Sequence, residues 1–588
     1  MVEYPVQVHE KTRSPSPKER VKAIEYINNN IHRFDNITSV WEDLHRLTQD
    51  KDKQVRGIAT IALELAYTYV PDKDEAWRDL HRLTQDEDEE VRCRAADSLG
   101  WVFAYMPDKC RAWEDIHRLT QDKNEGVRRG AAVALGRAFE DVPRKDEACE
   151  DLHRLTQDED EGIRSIAADT LGMVFADVPD KDEAWEDLHR LTRDEANGVR
   201  SSAAFVLGEA FAGVSDKNEV WKDLHRLTRD EDKRVRLSAA YALGQAFAYA
   251  PGKDIWEDLH RLTQDKDKDV KQWAAYALRT VFAGAPDKDE AWRDLHRLTQ
   301  DKDKHVRRSA AVTLGRAFAS VPDKDEAWRD LHRLTQDKNK HVREFAADAL
   351  GEAFDFVPRK DEAWRDLHRL TQDKDKSVRF GATIALELAY ASVPDKDEAW
   401  RDLHRLTQDK YEEIRLNTID ALGAVFADLP RKDEAWRDLH RLTQDKDNNI
   451  RSSATIALGG VFAFVPDKNE AWEDLHRLTQ DKYEEVKQCA ADALGRVFAF
   501  VPRKDEVWRD LHRLTRDKDE GVRWNAADAL EWVFACVPDK NEAWEDLHRL
   551  TQDKDEEVKQ CAADALGRVF ACVPRKDEAW EDLQRLSR

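Results

Sequence analysis

Histidine is the first residue type whose spacing invites a chemical reading. His45, His81, His117 and His153 open a series that runs to His548 at intervals of 36 residues, once 35. A regular row of imidazoles could be a metal array. A zinc ion, however, needs its ligands at about 2.1 Å, and copies set a helix-packing distance of about 8–10 Å apart cannot converge on it. The expectation is that these histidines sit at the edge of the core and donate to a loop carbonyl. The carboxylates repeat just as regularly, so no pair is set apart as an acid and a base. The patterns GxxxxGK[ST], GxSxG and HExxH do not occur in the sequence, nor does a Gly-rich phosphate loop. The seven cysteines form no CxxC pair and read as small hydrophobes of a reducing compartment. These residues point to no catalytic group, no metal and no cofactor.

Composition narrows the partner classes. The net charge is −25 and charged residues make up 37% of the chain. Nucleic acid is a poor match for such a surface, because Lys and Arg must neutralise its phosphates; anionic membranes are disfavoured for the same reason. A local basic strip remains compatible with this balance. The sequence has no 18-residue apolar run and no signal-peptide pattern at its start, so the expectation is a soluble, cytoplasmic protein.

The elements that carry these residues are set by an internal repeat. Trp41, Trp77 and Trp113 are 36 residues apart, and the register continues through Trp185, Trp221, Trp256 and onward to Trp580. One step, Trp221 to Trp256, is 35, and Cys149 holds one Trp position. Within the unit from Asp72 to Pro107, Asp72 and Glu75 have capping-box spacing. Ala76, Trp77, Leu80, Leu83 and Thr84 then fall on one helical stripe. After a polar turn at 86–90, Val91, Ala95, Leu99 and Phe103 mark a second helix, which Met106-Pro107 ends. Two helices in 36 residues cannot bury their apolar stripes alone, whereas stacked copies can.

The run LTQDKDKHVRRSAAVTLG at 298–315 and its copy LTQDKNKHVREFAADALG at 334–351 resemble the HEAT repeat, and most closely the HEAT-like repeats of prokaryotic proteins. The resemblance covers nearly all of residues 20–588. It implies an all-α, right-handed α-solenoid of about fifteen 36-residue hairpins, with an extra N-terminal helix and an unpaired C-terminal helix. It also implies that an Asp in each turn and a basic residue six positions later, from Asp50/Arg56 to Asp553/Lys559, form a ladder between neighbouring repeats. The family's first-helix proline is missing here, which implies straighter first helices. The domain reading is a flexible tail at 1–17, a capping helix at 18–35 and the repeat array at 36–588. Ser215 and the shortened loop around Pro251-Gly252 read as a bend, and Cys149 as a soft interface.

Comparing repeats within the chain locates the freedom to vary. The first helix, W-x-D-L-H-R-L-T, is nearly constant, while the second helix changes at positions +2, +3, +6, +10 and +14 from its opening Val or Ile. At 100° per residue these positions lie opposite the apolar stripe. They carry Trp101, Tyr105, Phe205, Tyr241, Tyr249 and Trp273 in the first half of the chain. Tyr276, Phe345, Phe356, Phe380, Phe464, Phe500, Trp524 and Trp532 follow. Arg137, Arg316 and Arg496 are interspersed, as are Asp97, Asp169, Asp348, Asp492 and Asp528. Aromatic rows on a side turned from the core mark an interaction surface, although sideways packing onto adjacent repeats would also place them there. The resemblance implies that second helices line a concave groove.

The expected function is a non-catalytic scaffold or adaptor that binds a protein or extended peptide, basic to match the acidic surface. The alternatives are a modifying enzyme of the bilin-lyase type with HEAT-like repeats and a purely structural spacer. The di-iron hydroxylases of this fold use repeated His-Glu pairs, of which His9-Glu10 is the one example here.

Overall fold

The computed structural model describes residues 4–34, 37–214, 217–249, 253–501 and 503–586; Ser215 and the shortened loop at Pro251-Gly252 lie outside them. Among the described residues there are thirty-three α-helices and no strand. The chain is an α-solenoid of paired helices, and it divides into two compact units, Met1–Leu298 and Thr299–Arg588.

Local sequence explains each hairpin. In helix Lys73–Leu83 the Asp72 side chain accepts the Glu75 N–H at 2.9 Å. The acidic first turn and the basic last turn, His81 and Arg82, suit the helix dipole. The second helix, Glu89–Val102, opens on Asp88, which accepts from the N–H groups of Glu90 and Val91. It tightens into a 3-10 turn at Phe103–Tyr105, because the residue before Pro107 is pushed to extended geometry. Within each unit, second helices pack on the second helices of neighbouring repeats. A glycine after the second-helix Leu allows their close approach: a Cβ on Gly100 would lie 2.5 Å from the Ala134 Cα, and one on Gly351 2.6 Å from the Ala385 Cα.

Polar side chains join the repeats along two lines. Along the turns, Arg56 donates to both carboxylate oxygens of Asp86 in the next repeat, at 2.7 and 2.8 Å, and to its own Asp50 carbonyl at 2.8 Å. Arg92–Asp122 and Arg128–Asp158 repeat this in the first unit, as do Arg343–Asp373 and Arg523–Asp553 in the second. Bidentate Arg–carboxylate bonds fix register as well as contributing energy. The link loosens at Arg415–Asp445, where the closest approach is 4.0 Å.

Along the first helices, each histidine corrects the loop-carbonyl expectation. His45 Nδ1 meets Asp79 of the next repeat at 2.7 Å, and the same bond joins His117 to Asp151 and His404 to Asp438. Gln49 donates to His45 Nε2 at 3.1 Å, which leaves the proton on Nδ1 for the carboxylate. Asp115, buried in the helix flank, also takes Arg118 at 2.5 Å, and Arg118 in turn donates to Thr84 of the preceding repeat at 2.8 Å. Trp113 Nε1 donates to Glu147 at 3.2 Å. A buried carboxylate without such donors would be costly, which explains why W-x-D-L-H-R-L-T recurs as a block.

The N-terminal segment departs from the loose-tail expectation. Residues Val6–Thr12 form a helix, and Pro17–Asn30 a second. His9 Nδ1 lies 2.7 Å from Asp43, Arg46 donates to Thr12 Oγ1 at 2.7 Å, and Arg20 pairs with Asp50 at 2.7 Å. These are the bonds of the other repeats, displaced by one period, so residues 4–34 make a shortened repeat. Pro5 stands at the helix N-cap and Pro17 in the first turn, where proline is accommodated.

Candidate interaction face

The second-helix positions separate into three physical groups. Trp101, Arg137, Arg316, Arg496 and Trp532, all at position +10, are exposed. Trp101 is 56% and Trp532 67% exposed. The Arg137 guanidinium stacks 4.1 Å from the Trp101 ring centroid and donates to Asp97 at 2.5 Å. Met173 and Leu388 occupy the same position in other repeats and are also exposed, so the row is apolar at intervals.

A second group packs sideways. Phe205 stacks on Tyr241 at 4.5 Å with rings 5° from parallel, Tyr241 meets Trp273 edge-on at 5.7 Å, and Trp273 meets Tyr276 at 5.6 Å. Arg279 covers Tyr276 and donates to its hydroxyl at 2.6 Å. This strip crosses three repeats, and aromatic pairs of this geometry add about 0.5–1.5 kcal/mol each to stacking. Phe345, with Arg308 5.2 Å from its ring, and Phe380 are likewise half-buried. Trp524 remains exposed.

The third group lies off the helix. Tyr105 and Phe464 sit in 3-10 turns, and Tyr249, Phe356 and Phe500 in the turns that follow their helices. Counting +14 along an ideal helix misplaced them, because the approach to the next Val-Pro or its equivalent ends the helix near +11. All five are exposed.

Carboxylates accompany the exposed rings. Trp524 walls an open recess of about 390 Å³ that it shares with Asp528, Glu531, Glu557, Asp564 and Arg568. Arg568 pairs with Glu531 at 2.7 Å, leaving the other acids in excess. Burial, followed by the neighbouring Glu531 and Asp492 charges, holds the Asp528 carboxyl above its usual range against the pull of Trp532 and Arg568. In helix Lys340–Ala353, Asp348 is pushed up to about 6, first by burial and then by Glu344 and Glu352. Its Oδ1 has no hydrogen-bond partner.

Among the described residues no cluster of His, Cys, Asp and Glu has the geometry of a metal site. No helix among them is long and apolar enough to cross a membrane. The family model for HEAT repeats matches residues 80–145 and 116–208. The matched segment, residues 80–208, carries HEAT repeats. No curated protein matches the sequence. Among solved structures, the Kap95:Nup1 complex contains a chain that superposes with a TM-score of 0.66 at 14% identity, covering 98% of this chain and 88% of that one. Yeast importin-β (Kap95p) gives 0.60 at 14%, covering 98% and 92%. The karyopherin Kap121p bound to the extreme C-terminus of the protein phosphatase Cdc14p gives 0.63 at 13%, covering 100% and 75%. At these identities the likeness establishes the HEAT-repeat fold. The constant W-x-D-L-H-R-L-T block joins neighbouring repeats of this fold, and the exposed second-helix residues are what differs between them.

Proposed function

We propose that the protein is a non-catalytic cytoplasmic scaffold or adaptor whose second-helix face binds a protein or extended peptide with basic side chains. The observation that carries this reading is the exposure of Trp101 and Trp532 at one helical position, Trp101 beside the Arg137–Asp97 pair and Trp532 beside Asp528. Large apolar rings left in water have no value for the fold, whereas at an interface Trp and Arg supply most of the binding energy. A Lys or Arg side chain laid against Trp524 would meet a ring face and several carboxylates together. Kap121p, which shares the fold, is solved with a peptide terminus bound, so the architecture accommodates such a ligand. The strip from Phe205 to Tyr276 is assigned chiefly to repeat stacking, with Phe205 and Tyr276 on its exposed edge.

Fluorescence anisotropy with a labelled Lys-rich 20-mer and a Glu-rich 20-mer tests the reading. The basic peptide should bind, and Trp532→Ala with Trp101→Ala should weaken it at least fivefold while leaving circular dichroism unchanged. Equal binding of both peptides, or indifference to the double substitution, refutes it.

A further inference from the structure

Lysine-rich turns interrupt this acidic chain, and three of them are consecutive in the second unit. Beyond Lys51-Asp52-Lys53 and Lys266-Asp267-Lys268 in the first unit, three consecutive repeats of the second unit read Lys302-Asp303-Lys304, Lys338-Asn339-Lys340 and Lys374-Asp375-Lys376 in the turn before the second helix; the corresponding residues 87–89 are Glu-Asp-Glu. All six lysines are exposed. Lys304, Lys338, Lys340, Lys374 and His341 line one open recess of about 410 Å³. Lys340 pairs with Asp375 at 3.2 Å and Lys376 with Glu413 at 3.0 Å. Lys304, Lys338 and Lys374 have no carboxylate partner among the described residues.

Other features add to the positive potential there. Helices Lys304–Ala317, Lys340–Ala353 and Lys376–Ala389 all begin at this edge, so three positive dipole ends face the same side. The central helix is capped by Asn339, where its neighbours use Asp303 and Asp375, so one compensating negative charge is missing where the lysines converge. Unpaired ammonium groups held around a recess repel one another unless a counter-anion lies between them. Repeats packed at about 8–10 Å set the lysines at a spacing that a chain of two to four linked phosphates spans, and that a single phosphate does not. A long polyanion is disfavoured, because Glu412 and Glu413 close one side of the strip and the chain as a whole is strongly negative.

We propose that this recess is a binding site for a short run of linked phosphates, either a free oligophosphate or the phosphate chain of a nucleotide. The site lies on the turn edge and does not depend on the second-helix face. Phosphate oxygens would be held by Lys304, Lys338 and Lys374 as point charges, with His341, whose Nδ1 lies 3.1 Å from Glu344, offering Nε2.

Isothermal titration of the full chain with sodium tripolyphosphate in 50 mM salt tests this. Binding near one per chain is expected, at least tenfold weaker in 200 mM salt and at least tenfold weaker for orthophosphate. The Lys338→Glu/Lys374→Glu variant, with unchanged circular dichroism, should lose at least tenfold, and Lys432→Glu on another face should lose less than twofold. Adenosine triphosphate run in parallel separates the sources: equal affinity assigns recognition to the phosphate chain alone, and tenfold tighter binding assigns a contribution to the nucleoside. The proposal is overturned by no binding in 50 mM salt, by orthophosphate binding as well as tripolyphosphate, by indifference to the double substitution, or by a 20-base-pair duplex outcompeting tripolyphosphate.

Discussion

Replacing Cys149 by Trp restores the residue that the other complete repeats carry, and the structure sets the size of the effect. Cys149 faces Leu152, His153, Leu171, Val178 and Ala184 around a narrow, partly open gap of about 10 Å³, room for one water at most. Burial, then Asp146 and Glu183, push its thiol up to about 11, so it is held as an un-ionised hydrophobe. In the equivalent place Trp113 is fully buried and its indole N–H reaches Glu147, 34 residues on; Glu183 stands at that distance from position 149. Exchanging Cys for Trp buries on the order of 130 Å² more apolar surface, or about 3 kcal/mol at 25 cal/mol/Å². The bond to Glu183 contributes about 1 kcal/mol. Reopening a gap that has closed on the smaller side chain costs about 1–3 kcal/mol. The net expectation is roughly 1–3 kcal/mol of stabilisation, confined to the interface between helices Lys145–Leu155 and Lys181–Leu191. Repeat arrays need not unfold in one step, so the measurement is amide hydrogen exchange in those two helices together with the urea midpoint. Cys149→Phe supplies the ring without the donor and should give the smaller gain. Unchanged or reduced protection for Cys149→Trp refutes the reasoning.

Other perturbations have equally definite outcomes. Asp151→Ala strips the partner from His117 and Arg154 and should cost about 3–5 kcal/mol, read as lost exchange protection in the adjoining first helices. Gly100→Ala drives a Cβ to 2.5 Å from the Ala134 Cα and should cost about 1–3 kcal/mol by urea denaturation. Burial acts to raise the ladder carboxyls Asp122, Asp158 and Asp194, but the Arg bonds and turn N–H groups outweigh it and hold them below the ordinary range. Their contribution is therefore complete above about pH 4 and lost as pH falls through the depressed values, so the urea midpoint should drop steeply there. Asp348, pushed up to about 6, has the opposite sign: its penalty is absent below about pH 4 and complete above 6. Asp348→Asn should accordingly stabilise the second unit by on the order of 1–3 kcal/mol at pH 7.5 and have no effect at pH 4.

The architecture was legible because it is written many times. Trp spacing set the period, Asp72 and Glu75 set a helix start, and Met106-Pro107 set an end; each is a local rule that the structure follows. The turn ladder was legible through the resemblance that named it. The buried Asp of W-x-D-L was not read, because hydrophobic periodicity assigns a polar residue on a helix flank to solvent, and only a neighbouring repeat supplies the His and Arg that make its burial tolerable. A signal was available in Asp-x-x-Arg spacing and in the constancy of four polar residues between repeats that differ elsewhere. The N-terminal repeat escaped notice because its Trp position is Pro5 and few residues, His9, Thr12 and Arg20 among them, retain the register. For the second-helix face, periodicity placed Trp101 and Trp532 outward, but it could not distinguish them from Tyr241 and Trp273, whose burial depends on which ring the next repeat presents.

The division between constant and variable helices follows from how many interfaces each residue serves. Arg118 bonds Asp115 in its own helix and Thr84 one repeat back, while His117 beside it bonds Asp151 one repeat forward. A change at either position disturbs the stacking on one side and orphans a buried group on the other, so these polar positions are held together. Position +10 of the second helix touches at most one neighbour: Arg137 stacks back on Trp101, Arg316 approaches Glu352 no closer than 3.5 Å, and Met173 stands in the open. Substitution there costs the stack little, since exposed ion pairs contribute about 0–1 kcal/mol. Such a repeat array separates cohesion from variation in sequence: first helices and turns carry cohesion, and one row of second-helix side chains can be rewritten repeat by repeat without loosening the fold. That row is where a partner of this protein would be read.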